Sequence, residues 1–488
     1  MNQWTALTRS LAIAIVLVLL FKPAASEGNG KIPVTTSSQA ALVAFQKGQD
    51  LVDRLRLTDA IAHFRKATEQ DPNFALAHLY LALTSPTGTE FWGHLNDATN
   101  LIENASEGEK LWIAGVQAGA YGDPLKQRDL YAKLTALYPD DERAHTLLGI
   151  NYFGQQDYEK AAQHLQKAVE IAPEYTASYN QLGYAYRFLN RFEDAERAFK
   201  KYTELLPDDP NPYDSYAELL LKLGRFDEAS VQYRKALSVV SHFPNSRYGI
   251  AAALVYQGKY AQAREELKQA IDDSRNDGEL RGALFTLAVS YVHEGKSELA
   301  VKEFEKQYAL GEKTNDAVAQ AGDLIAIGNI MLESGRADDA LGYFKRALAL
   351  VHESDLAAEV KENASRIFRY NHGRVLVKNG YYNDAVKESE TFLKEAEALG
   401  NANQIRLAHE LAGIIALARN EFSSAIRELQ EASQQNPYNL FRLAQAYAAR
   451  GDSDTAREFA RRAAQFNSLP ALNYAFVRSR AETMVGAL

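Results

Sequence analysis

The sequence predicts an all-α chain, a solenoid of helix-turn-helix repeats stacked side by side. Three observations carry that expectation. Two stretches match at a single offset of 34 residues: Leu148 with Leu182, Gly149 with Gly183, Tyr152 with Tyr186, Ala161 with Ala195, Leu165 with Phe199 and Pro173 with Pro207. A fixed period of this size marks stacked repeats, each burying its apolar face against the next. Gly183 stands inside a helical pattern, with Leu182, Ala185 and Tyr186 at helical spacing around it. Glycine costs roughly 1 kcal/mol against alanine in a helix interior, so its presence points to a neighbouring helix that comes close. Both units end in proline, Pro173 and Pro207, which lacks the N–H that a helix interior needs.

The elements follow in chain order. Residues 1–26 have the layout of a secretory signal peptide: Arg9 and no acid, an unbroken apolar run from Leu11 to Phe21, then Ala24 and Ser26 at a small-residue cleavage site. The run is shorter than the ~20 residues of a spanning helix. The expectation is an exported chain, periplasmic or secreted. Retention of residues 11–21 as an inner-membrane anchor is the alternative. Residues 27–38 are small and polar around Pro33, and read as a flexible lead-in.

Residues 39–141 read as degenerate repeats. Gly48, Ala60, Phe64, Ala67 and Pro72 keep the frame, and Gly115 and Pro139 recover it, with Gln127 where alanine is expected. Between them 84–107, with Pro86 and Gly88 near its start, reads as an irregular insertion. Residues 142–275 hold the regular repeats. From Ala229 the key alanines continue at Ala263, Ala300, Ala340, Ala385, Ala425 and Ala456, spaced 34, 37, 40, 45, 40 and 31 residues apart. Residues 276–468 therefore carry longer helices or loops. In 469–488, Pro470 starts a helix with Leu472, Ala475, Phe476 and Ser479 on one face, a cap for the last repeat.

These residues resemble the tetratricopeptide repeat family, whose pattern runs through a large residue, Leu-Gly, an aromatic, Ala, Phe, Ala and Pro. The resemblance spans about residues 39–468. It implies two antiparallel helices per repeat and a right-handed superhelix, with a concave face lined by the first helices. The positions it turns into that face are Arg143, Thr146, Asn180, Tyr184, Arg187, Phe188, Asp214, Glu218, Lys222, Tyr248 and Tyr256. Aromatic rings, an amide and both charge signs suit a groove for an extended peptide or a helix. Packing between neighbouring helices is the competing role for Tyr184 and Phe188, because stacked repeats bury such faces. The family subtype that grips C-terminal carboxylates uses lysine and asparagine at two set positions. Here these are Asn180 with Tyr184, or Thr146 with Ile150, so that ligand is not expected. The resemblance implies a non-enzymatic scaffold for a protein or peptide partner. A structural assembly factor of an envelope, secretion or pilus complex is the alternative.

Other chemistry finds little support. A net charge of −9 gives no basic field for nucleic acid. With no cysteine there is no thiolate zinc site and no thiol nucleophile. Gly295-Lys296-Ser297 lacks the earlier glycine of a phosphate loop, Ser290 standing there, and falls at a repeat turn. His409-Glu410 begins a zinc motif, but the second ligand position is Gly413. The ten histidines are scattered and read as packed or solvated. Asp140-Asp141 and Asp208-Asp209 follow prolines and suit helix N-termini. The sequence points to no cofactor, no metal and no catalytic set.

Overall fold

The computed structural model describes residues 30–488; the expected leader, 1–26, and the first residues of the lead-in lie outside the described part. Among the described residues there are twelve helix hairpins, from Gln39–Asp53 with Leu57–Gln70 to Pro437–Ala449 with Ser453–Ala464, followed by a single helix, Leu472–Ala487.

The hairpin of Thr176–Phe188 and Phe192–Leu205 shows why the period exists. A Cβ on Gly183 would lie 2.5 Å from the Phe199 ring. The ring occupies the space that glycine leaves. Burying a phenylalanine stabilises by about 1.5–3 kcal/mol, which outweighs the helix penalty. Gly48 with Phe64, Gly115 with Tyr131 and Gly328 with Phe344 repeat the device, each pair sixteen residues apart. The second-helix alanines Ala195, Ala229, Ala263, Ala300, Ala340, Ala385, Ala425 and Ala456 are fully buried. Gly295 takes φ 77° at its hairpin turn, a conformation that glycine adopts without strain. Asp141 caps its helix by accepting from the Arg143 and Ala144 amides, and Asp209 accepts from that of Asn211. Helices of 13–14 residues between Glu142 and Asp272 give way to helices of 17–21 from Asp277 to Ala418.

Three segments differ from the sequence reading. The stretch 84–107 is mainly a helix, Gly88–Asn100, that pairs with Ala75–Thr84 as an ordinary second helix. Pro86 and Gly88 conceal its start: the proline precedes the helix, and the Thr87 side chain caps it through the Glu90 amide. The lead-in is pinned rather than free. The Ile32 amide donates to Asp141 at 2.8 Å, the Thr35 amide to Glu109 at 2.8 Å and the Thr36 hydroxyl to Asp71 at 2.5 Å. The terminal helix does more than cover the last repeat. Val477 and Ala481 pack with Tyr438 and Ala463, while Ala475 joins Ile330 and Val375, and Tyr474 joins Tyr256. It lies inside the coil because its apolar residues fall on more than one face.

The coil closes on itself. Hairpin turns on one edge of a superhelical turn meet inter-repeat loops and helix starts of the next. Arg275 binds Asp59 at 2.9 Å, the Gly88 amide donates to Asp316 at 2.6 Å, and the Asn403 amide group donates to the Gly154 carbonyl at 2.9 Å. Ser433 donates to Gln156 at 2.9 Å and Lys222 to the Phe466 carbonyl at 2.8 Å. These partners are 216–277 residues apart in sequence.

Candidate functional site

The concave-face residues separate into five groups. Thr146, Asn180 and Asp214 are buried and sew neighbouring first helices together. Thr146 shares a hydrogen bond with Ser178 at 2.8 Å, Asn180 accepts from Ser215 at 2.9 Å, and Asp214 accepts from Ser246 at 2.6 Å. Arg143 turns to the first helix and pairs with Asp53 at 3.1 Å, below Tyr175. Tyr256 lies under the terminal helix, its hydroxyl on the Ser468 carbonyl and its ring beneath Arg478. Tyr248 donates to the Glu279 carbonyl at 3.0 Å and lines a cavity of about 390 Å³ between the first hairpin turn and residues 240–248 and 275–282.

Arg187, Phe188, Glu218 and Lys222 converge on a cavity of about 610 Å³. Tyr184 stands behind them, donating to Glu218 at 2.9 Å. The opposite wall comes from the next superhelical turn, with Arg406, Glu410, Asn436, Phe466 and Asn467 among its residues. The two walls meet because the hairpin turns at 154–156 and 187–190 stack on the helix starts at 403 and 437.

Charge in this cavity is unevenly matched. Glu218 pairs with Arg187 at 3.2 Å. Burial pushes its carboxyl above the usual range, against the opposing pull of Arg187. Asp214 is also raised, by burial and then by the Glu218 charge. Glu410 is saturated: it accepts from Arg442 at 2.8 Å, Tyr370 at 2.8 Å, Asn439 at 2.9 Å and Asn436 at 3.0 Å. That set holds its carboxyl low although burial opposes it.

Lys222 and Arg406 have no such partners. The Lys222 ammonium donates to the Phe466 carbonyl and sits 4.2 Å from the centre of that ring. Burial first, then the charges of Arg187 and Arg462, lower it to about 8. Arg406 donates to the Gln155 carbonyl and to the Asn403 side chain, and its Nε is buried without a partner. Burial lowers its guanidinium as well. The cavity therefore presents two cations held by neutral oxygens alone, beside the rings of Phe188 and Phe466.

Sequence reasoning reached one wall of this cavity and missed the other. Arg406, Glu410, Asn436 and Phe466 carry no repeat-position signal that sets them opposite Arg187. Only the pitch of the coil does.

Tetratricopeptide repeat models match residues 140–208, 220–287, 440–462, and both 45–84 and 180–238. The chain belongs to the tetratricopeptide repeat family. Proteins of this family generally bind protein partners and are generally non-catalytic, and this chain is an interaction scaffold in that general sense. No curated protein matches its sequence. Solved structures similar to it include a tetratricopeptide repeat protein from Parabacteroides merdae ATCC 43184, 17% identical, covering 54% of this chain and 98% of its own, with a TM-score of 0.37. The MamA protein is 20% identical over 34% of this chain and 91% of its own, TM-score 0.29. The pilF protein of Pseudomonas aeruginosa is 20% identical over 50% of this chain and 96% of its own, TM-score 0.27.

Proposed function

We propose that this scaffold docks an extended, carboxylate-bearing segment of a partner protein in the cavity between its superhelical turns. The observation that carries this is the pair Lys222 and Arg406, two half-buried cations without carboxylate partners in a chain rich in acids. A bound carboxylate supplies the missing counter-charge, and charge-assisted hydrogen bonds are roughly twice as strong as neutral ones. Phe188 and Phe466 give an apolar side chain of the same segment a surface to cover. The layout of residues 1–26 supports export, with the partner met outside the cytoplasm and the processed chain starting at Glu27. The N-terminal peptide of protein recovered from an envelope fraction tests that reading.

The docking test is selection of a peptide library on the tag-free chain, followed by affinities of the enriched peptides. Peptides joining a carboxylate to an apolar residue are expected. Lys222→Met and Arg406→Gln should each weaken them about tenfold, some 1.4 kcal/mol. Binding should also fade as pH rises through about 8, where Lys222 loses its charge. Equal affinity in both variants would remove the cavity from the function.

A further inference from the structure

A hairpin of this fold sets a first-helix residue against the one sixteen positions later, as Gly183 meets Phe199. In the hairpin of Ala75–Thr84 and Gly88–Asn100 the residues at that spacing are His78 and His94. Asp97, three residues beyond His94, shares its helix face. One ring nitrogen of each histidine and a carboxylate oxygen of Asp97 lie within 4.8 Å of one another.

Two features separate this cluster from chance neighbours. Each Nδ1 is buried without a hydrogen-bond partner. Each stands 3.7 Å from Asp97 Oδ2, beyond hydrogen-bond reach. That is close to the ~3.3 Å separation of donors arranged tetrahedrally ~2.0–2.1 Å from a metal. His78 is also oriented from behind: its Nε2 meets the Pro72 carbonyl at 3.2 Å. Acting as donor there, the ring leaves Nδ1 as a bare lone pair, the arrangement that metal-binding histidines use.

The chain contains its own contrast. His145 meets the Pro139 carbonyl in the same way, at 3.1 Å, but its Nδ1 lies 3.3 Å from His164 Nδ1. That pair can share a proton, and among the described residues no carboxylate completes a cluster there.

We infer that His78, His94 and Asp97 bind one borderline divalent cation, Zn²⁺ or Cu²⁺, which ties the two helices of this hairpin together. Two imidazoles and a carboxylate suit these ions. The exposed side of Asp97 leaves room for water to complete the coordination. Glu90, one turn before His94, adds negative charge, although Arg65 stands 3.8 Å from it.

The test titrates Zn²⁺ into the tag-free chain by calorimetry, with Cu²⁺ electron paramagnetic resonance as the structural readout. One ion per chain is expected, with nitrogen splitting from two imidazoles. His94→Ala should remove one nitrogen from the spectrum and weaken binding at least tenfold. Asp97→Asn should weaken binding without changing the nitrogen count, and His145→Ala should leave it unaltered. Both cluster substitutions are at partly or well exposed side chains, so helical circular dichroism should be retained. Absence of binding by the wild-type chain, or unchanged affinity in both His94→Ala and Asp97→Asn, would overturn the assignment.

Discussion

The interior of one hairpin and the seam between two superhelical turns are built by different rules. Inside a hairpin, glycine faces a large residue sixteen positions on, and the contact recurs from Gly48 with Phe64 to Gly413 with Leu429. Along the seam, Asn403 meets Gly154, Ser433 meets Gln156 and Lys222 meets Phe466, with no residue type repeated and no fixed interval. The hairpin is a local solution that each repeat can find. The seam sums many small repeat-to-repeat rotations, and its side chains fit only once that sum is made. The first region supplies stability, and the second supplies the cavity.

The largest blow to repeat packing should come from the saturated buried ion pair of Glu410 with Arg442. Arg442→Ala leaves Glu410 buried among Tyr370, Asn436 and Asn439 without its cation. The expected loss is about 3–5 kcal/mol, read from guanidinium unfolding of the C-terminal repeats. Replacing both partners with apolar residues of similar volume should recover most of it.

Gly183→Val comes next. Its Cβ would stand 2.5 Å from the Phe199 ring, an overpacking that costs about 1–3 kcal/mol. Phe199→Leu in the same chain should restore part of the lost thermal stability. Additive losses would show that the two residues do not share one space.

The third test concerns the terminal helix. His293 packs half-buried against Tyr256 and Tyr474, and burial followed by the Arg478 charge lowers its imidazole to about 3. The unfolded chain takes up this proton near pH 6.5, whereas the folded chain stays neutral. Its contribution is therefore intact above that pH and is lost as pH falls from about 6.5 toward 3, with a slope on the order of 1 kcal/mol per pH unit. His293→Phe should flatten that part of the acid profile, measured by exchange protection of residues 472–487.

The smallest effect belongs to the seam. Asn403→Ala removes one hydrogen bond to the Gly154 carbonyl, about 0.5–1.5 kcal/mol. Amide exchange should quicken in the facing segments around 154–156 and 403–406 and stay unchanged at Gly183. Equal change in both places would erase the distinction between the two regions.

The same contrast explains what the sequence made legible. Gly183, Ala195 and Pro207 report contacts inside one repeat and its neighbour, so the all-helical solenoid could be read from their spacing. The helix Gly88–Asn100 was hidden because Pro86 and Gly88 look like breakers, although they stand only at its start. The lead-in looked free because its partners, Asp71, Glu109 and Asp141, lie in three separate repeats. Of the concave-face residues, Arg187, Phe188, Glu218 and Lys222 reach the cavity. Thr146, Asn180 and Asp214 stitch first helices to one another instead, since short polar side chains at those positions find their neighbours before they find solvent. Arg406 and Phe466 could not be placed opposite them without knowing the coil's pitch.

The central claim is that successive turns stack and enclose the cavity between them. The chain has no cysteine, so a single engineered pair reports this without interference. Gln156→Cys with Ser433→Cys replaces side chains that meet at 2.9 Å. A short thiol-specific cross-linker should join them within one molecule, giving a faster band on a denaturing gel and an unchanged helical spectrum. A fully helical monomer that the cross-linker never closes, or that links only to other molecules, would contradict the stacked coil.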